Sequence, residues 1–333
     1  MSSAGIRATT LIVVLAAGVS LAGVVLGAQA KLADEATLQQ LARLIERGEL
    51  EAAGRAADAA LKTQPGDPVL HNLAGVIAAQ RGGVTAAEAH FREAIRLAPK
   101  SPAAYENLGR LYQERAATDA GMRAKAIAVY RKLLEVDPRS HEALFQGGLL
   151  LALDGQFAAS RAMLDRLTPE VRERPQAMAI VAADMGALGD MTGARRAIES
   201  LAAHPALTEA DVMAAVAVSP GAKGDAVARL MLEAIDRRGL STPRSLDALS
   251  SIHVRAGRFV EARQVLERAA RMAGPSAPLL LALARTAIKA KDYDGALGYL
   301  AHARSLEPAN AMVHFLFAMA CVEQDLGREA YDS

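Results

Sequence analysis

The chain has 333 residues, of which 52% are hydrophobic and 23% are charged, so it contains ample material for a folded core. Its 38 basic and 37 acidic residues give a net charge of +1, which argues against a nucleic-acid partner. The single cysteine, Cys321, excludes an intrachain disulfide framework and a paired-cysteine metal site, and the scarcity of aromatic residues favours packed helices over sheets.

Residues 1–30 have the pattern of an export segment. Arg7 precedes an apolar run from Leu11 to Gly27, and Ala28-Gln29-Ala30 resembles a cleavage site. The run is longer than a usual signal core of about 7 to 15 residues, yet shorter than the ~20 that span a bilayer. Two interpretations stay open. Cleavage after Ala30 would give a periplasmic or secreted protein, whereas an uncleaved segment would anchor the chain in the inner membrane, facing the periplasm, through residues 11–27.

A 34-residue period runs through the rest of the sequence. It begins at Gly48 and stays in register after one insertion of five residues, with marks at Gly48, Gly82, Ala116, Gly155, Gly189, Lys223, Gly257, Lys291 and Asp325. Five places after each mark, allowing for the insertion, stands a small residue: Ala53, Ala87, Ala126, Ser160, Ala194, Ala228, Ala262, Ala296 or Ala330. Apolar residues follow four and seven places later, which predicts a helix.

A second helical pattern precedes each mark, as at Leu108, Gly109 and Tyr112. Each unit is therefore predicted to contain two helices. Glycine at the mark ends the first helix, and proline after the unit, as at Pro138, cannot continue the second. The small residue in the second helix lets the two backbones approach closely.

This pattern resembles the tetratricopeptide repeat (TPR) family. The third unit carries the most complete signature, with Tyr105, Leu108, Gly109, Tyr112, Ala126, Tyr130 and Pro138, and with Leu133 in place of the usual Ala. The resemblance implies an all-α fold, a right-handed α-solenoid of stacked helix-turn-helix units. The expected repeats are about 34–67, 68–101, 102–140, 141–174, 175–208, 209–242, 243–276, 277–310 and a partial 311–333.

Two of these units depart from the pattern. The repeat at 209–242 is degenerate, because Pro220 shortens its first helix and Leu240 stands where Pro is expected. The last unit ends part-way through its expected second helix. This ending suggests either a fragment of a longer protein or self-association through an uncovered face formed by Met312, Phe315, Met319 and Val322.

The sequence contains no recognisable catalytic or cofactor-binding motif. The seven histidines form no HExxH motif, and "PGAKGDA" around Pro220 lacks the GK[ST] ending of a phosphate loop, so we interpret it as a turn. Cys321 lies on an apolar stripe that is typical of core. The chain is therefore expected to be neither an enzyme nor a binder of metals or cofactors.

The family resemblance implies which side chains would meet a partner. In TPR proteins the first helix of each repeat lines a concave groove, mainly through its second, fifth, ninth and twelfth positions. Carried over, these positions predict a groove that binds a protein or peptide through Asn72, Val76, Glu106, Arg110, Gln113, Phe145, Leu149, Asp247, Ser251, Leu281 and Arg285.

The functional prediction is an exported scaffold or adaptor in the assembly of a bacterial envelope or secreted complex. An alternative is the N-terminal recognition arm of a larger enzyme or assembly factor whose working domain lies beyond residue 333. The sequence leaves the partner unidentified.

Overall fold

Eighteen helices form the regular structure of residues 35–116, 119–219 and 221–324, which a computed structural model of the chain describes. The predicted export segment, Pro220 and Ala330 lie outside these residues. The helices are α1 (Glu35–Glu46), α2 (Leu50–Thr63), α3 (Pro68–Gln80), α4 (Val84–Leu97), α5 (Pro102–Ala116), α6 (Ala120–Val136), α7 (His141–Leu153), α8 (Phe157–Leu164), α9 (Pro169–Arg172), α10 (Pro175–Ala187), α11 (Met191–Ala203), α12 (Glu209–Ala217), α13 (Gly221–Arg237), α14 (Pro243–Arg255), α15 (Phe259–Ala273), α16 (Ala277–Lys289), α17 (Tyr293–Leu306) and α18 (Ala311–Glu323).

Consecutive helices pack as hairpins that stack along the chain. The most extensive contacts are within pairs such as α3 with α4, α5 with α6, α14 with α15 and α16 with α17. The first helices of neighbouring pairs also touch, α3 with α5, α5 with α7, and α16 with α18. The prediction of an all-helical α-solenoid is confirmed.

The turns inside the hairpins use positive φ angles. Gly48, Gly82, Gly155, Gly189 and Gly257 have φ between 71° and 92°, which glycine adopts without the steric cost of a side chain. The turn between α16 and α17 adopts the same conformation at a residue with a side chain, Lys291, at φ 61°.

The degenerate unit differs from the expectation at its turn. Lys223 lies inside α13, and the positive φ of 77° falls two residues earlier, at Gly221. The interpretation of "PGAKGDA" as a turn is therefore wrong for its described part, since α13 begins at Gly221. The first helix of this unit, α12, ends at Ala217 and is one of the shorter helices.

Small residues bring the two helices of a hairpin together. Ala53, Ala87, Ala126, Ser160, Ala194, Ala228, Ala262 and Ala296 are all buried, at 0 or 1% exposure. On the opposing helix, a Cβ atom added to Gly109 would lie 2.8 Å from the Tyr130 ring. The Leu-Gly of the third unit thus makes room for the aromatic residue of its second helix.

The core runs along the solenoid as three adjoining clusters. The first extends from Leu41 to Leu151, the second from Leu144 to Ala269, and the third from Leu266 to Ala320. Half-buried residues such as Leu134 and Leu279 pack against two clusters at once. Among the described helices, none is both long and apolar enough to cross a bilayer.

Candidate partner-binding groove

The first helices of the hairpins carry the predicted groove positions, and we call the surface of these helices the first-helix surface. It includes α3, α5 and α7 toward the N-terminus and α14, α16 and α18 toward the C-terminus. All the predicted groove residues lie on these helices. The two parts of the surface differ in whether their polar side chains bond to side chains of neighbouring repeats.

In the N-terminal part, amide side chains of neighbouring repeats bond to one another. Asn107 donates to the side-chain oxygen of Asn72 at 3.0 Å, and Gln113 donates to that of Gln146 at 2.6 Å. Tyr130, from the second helix, donates to Gln113 at 2.7 Å. Asn72 and Gln113 are therefore held in a ladder between repeats.

The charged groups of the N-terminal part are also paired. Arg110 contacts Glu142 of the next repeat at 3.4 Å. Burial, with a smaller contribution from the charge of Glu142, raises the pKa of Glu106, whereas the charge of Arg110 opposes this. A partner at Arg110 would have to displace an existing ion pair.

The apolar residues predicted for the N-terminal part are mostly core. Val76 is fully buried in the first core cluster, so it has no surface for a partner, which corrects its assignment to the groove. Phe145 and Leu149 are half-buried and pack against the second core cluster. Phe145 also lines a cavity of about 290 Å³ with Val171 and Arg174.

The C-terminal part of the surface is open. Asp247, Ser251 and Arg285 are exposed and line a cavity of about 470 Å³ between α14, α16 and α18. Ser251 also lines a second cavity of about 710 Å³ beside α13. We call these two adjoining cavities the trough. Leu281 is half-buried against the third core cluster and lines neither of them.

Most of the charged side chains that line the trough without an ion-pair partner are positive. Arg255 forms a two-pronged contact with Asp225, at 2.7 and 2.8 Å. Within the described residues, Arg285, Lys289 and Asp247 have no ion-pair partner within 4.0 Å. Besides the paired Arg255 and Asp225, the trough therefore presents two unpaired cations and one unpaired anion.

The sequence prediction did not include several residues that line the trough. Arg255 and Lys289 lie one helical turn beyond the ninth positions, Ser251 and Arg285. Met319 is the ninth position of the partial repeat, so the same counting would have found it. Met319 is half-buried in the trough wall, and only its neighbours Met312, Phe315 and Val322 are among the exposed large apolar residues.

Two histidines on neighbouring helices, His71 of α3 and His90 of α4, form a pair. The Nδ1 atoms of His71 and His90 are 3.2 Å apart, and Nε2 of His71 contacts the Pro65 carbonyl at 3.0 Å. In the part of the chain that the structure describes, no three His, Cys, Asp or Glu side chains are placed together to hold a metal ion.

Comparison with known proteins supports the repeat assignment. One tetratricopeptide-repeat family model matches residues 43–102, 72–124 and 113–177, and another matches residues 253–314. Together these matches cover more than half of the chain. No curated protein sequence matches the chain at a significant level.

Solved structures of other repeat proteins are similar to this chain at low sequence identity. A tetratricopeptide repeat protein from Parabacteroides merdae aligns at a TM-score of 0.51 and 17% identity, covering 86% of this chain and 98% of its own. The C-terminal part of a TPR repeat-containing protein from Cytophaga hutchinsonii aligns at 0.48 and 12% identity, covering 84% and 98%. YrrB, a TPR protein with an unusual peptide-binding site, aligns at 0.45 and 18% identity, covering 54% and 88%.

Proposed function

The chain belongs to the tetratricopeptide-repeat family of protein-interaction scaffolds, and on this premise we propose that it is an exported scaffold whose first-helix surface holds a protein segment. The segment is extended or helical, and the scaffold serves assembly of a bacterial envelope or secreted complex. The export segment at residues 1–30 motivates the location, and the stacked hairpins motivate the binding mode.

One observation supports this function and selects the C-terminal part of the surface. Around α5 the polar side chains already bond across repeats, as Asn72 and Gln113 do. In the trough, Asp247, Ser251 and Arg285 are exposed and make no such bonds within the described residues. A partner there gains contacts without breaking existing ones, so the trough is the favourable place to bind.

Steric filling of the trough tests the binding site. In Ser251→Trp a bulky side chain enters both cavities from an exposed position, and the core is left unchanged. The matched control is Val260→Trp, at a residue that is 55% exposed on α15 and lines neither cavity. After crosslinking in envelopes, we expect the parent and Val260→Trp to capture a common partner that Ser251→Trp loses. Equal capture by all three baits would contradict a site in the trough.

The proposed location has a separate test. Mass spectrometry of the protein purified from the envelope should find either a mature chain beginning at Lys31 or the intact chain in the membrane fraction with its repeats accessible to periplasmic protease. An intact chain in the cytosol would contradict export and leave the scaffold function standing.

A further inference from the structure

We propose that the trough and the adjoining side of α18 bind a protein segment that presents acidic side chains next to large apolar ones. This inference rests on the proposed function, because it specifies the occupant of the same surface. Two features of the surface carry it, an excess of unpaired cations and an exposed apolar strip.

The cations lie together on one helix. Arg285 and Lys289 are one turn apart on α16, and both are exposed and line the trough. A partner that covers them removes water from both charges, which is costly unless the partner supplies anions. Carboxylates satisfy this need and form strong charge-assisted hydrogen bonds with Arg. Asp247 offsets only one of the two charges, so an acidic segment complements the trough.

The apolar strip borders these cations. Met312, Phe315, Met319 and Val322 are spaced by three and four residues, so they share one side of α18. Met319 lines the trough itself, whereas Phe315 and Val322 are 62% and 65% exposed. Clustered exposed apolar side chains mark interaction surfaces, and the flexible methionines adapt to irregular partners. Large apolar side chains of the segment would pack on this strip.

A second copy of the chain is a less favourable occupant. In a twofold dimer the same surface patch meets itself, which would bring two sets of Arg285 and Lys289 together. Like charges that face each other across an interface oppose association. The charge pattern therefore favours a different protein, whose acidic groups meet these cations.

The test is a selection from a library of random peptides with amidated C-termini, which removes the free carboxylate as a source of negative charge. The full chain in mild detergent is the bait. We expect the selected peptides to be enriched in Asp and Glu together with large apolar residues. The double variant Arg285→Glu, Lys289→Glu should bind them at least about tenfold more weakly and select basic peptides instead.

The control carries the same change in charge at two residues that do not line the trough. Lys62→Glu with Arg271→Glu alters exposed residues of α2 and α15 and should bind like the parent. Phe315→Ser should weaken the binding of the same peptides without creating a preference for basic ones. Circular dichroism confirms that each variant keeps its helices.

Three outcomes would overturn the inference. If Ser251→Trp abolishes peptide binding but the peptides show no acidic preference, the charge argument is wrong and the proposed function stands. If no selected peptide depends on Ser251, the trough as binding site fails as well. If the parent dimerises in sedimentation experiments and Phe315→Ser does not, a second copy occupies the strip.

Discussion

Asp184 is the most unusual single residue of the core. It lies on α10 at 0% exposure, where its Oδ2 accepts a hydrogen bond from Ser160 of α8 at 2.7 Å. Its Oδ1 has no hydrogen-bond partner among the described residues. Burial raises the pKa of this carboxyl to about 7, although the hydrogen bond from Ser160 and the charge of Arg161 act in the opposite direction.

This shift predicts a pH-dependent stability. Because the carboxyl has a higher pKa in the folded chain than its ordinary 3.8, the folded chain holds this proton more tightly than the unfolded chain does. The free energy of unfolding therefore falls as pH rises from about 4 to 7. Replacing Asp184 with Asn removes the titration. Between pH 5 and pH 8, the free energy of unfolding of Asp184→Asn should therefore rise by about 2 to 3 kcal/mol relative to the parent.

Urea unfolding of both proteins at several pH values measures this difference. Glu199→Gln is a useful control, since it removes the charge of an exposed carboxylate of α11 that forms no ion pair within the described residues. A difference between Asp184→Asn and parent that stays constant from pH 5 to pH 8 would show that the carboxyl titrates normally.

At the scale of the helix pair, packing overrides helix propensity. In an exposed helix, Gly→Ala stabilises by up to about 1 kcal/mol. At Gly109 the added methyl meets the buried Tyr130 ring at 2.8 Å, and overpacking of this kind costs about 1 to 3 kcal/mol. Gly109→Ala should therefore lower the free energy of unfolding by up to about 2 kcal/mol.

The chain offers a matched control on α17. A Cβ atom added to Gly298 would meet nothing within 4 Å, and the residue is exposed. Gly298→Ala should raise stability by roughly 0.5 to 1 kcal/mol, measured by the same denaturation. If both substitutions changed the free energy of unfolding in the same direction, the close approach of α5 to α6 would not govern the stability of this hairpin.

At the scale of the whole molecule, the stability of each repeat depends on its contacts with the neighbouring repeats. Each hairpin contacts mainly the next, and the three core clusters join only at their edges. In such arrays the free energy is a sum of repeat and nearest-neighbour contributions. We expect Gly109→Ala to speed amide hydrogen exchange in α5, α6 and α7 and to leave α16 to α18 unchanged. Acceleration throughout the described helices would instead indicate a single cooperative unit.

The sequence predicted the helices well where local patterning decides them. Gly48 and Gly257 stand at turns because the backbone needs a positive φ there, and Ala53 and Ala262 are small because two backbones meet. The prediction was wrong at Lys223, where the array shifts by two residues to Gly221. Spacing alone cannot show such a shift, since Ala228, Leu232 and Ile235, which follow the turn, still keep the phase of the 34-residue period.

The groove was predicted less completely, since position in a repeat does not determine exposure. Val76 and Ser251 are both ninth positions of their repeats, yet Val76 is buried and Ser251 is exposed. Likewise, Arg110 and Arg285 are equivalent in sequence, but only Arg110 has an acidic residue of the next repeat within reach. These differences arise from contacts between residues of different repeats.

The amino-acid sequence by itself determined the family, the all-helical class and the succession of hairpins, because these depend on periodicity and on backbone conformations that only certain residues adopt. The tertiary structure alone decided which part of the first-helix surface keeps polar side chains without bonds across repeats. That property depends on which side chains the stacking of repeats brings together. A charged or amide side chain either bonds to a side chain of the next repeat or stays exposed to solvent.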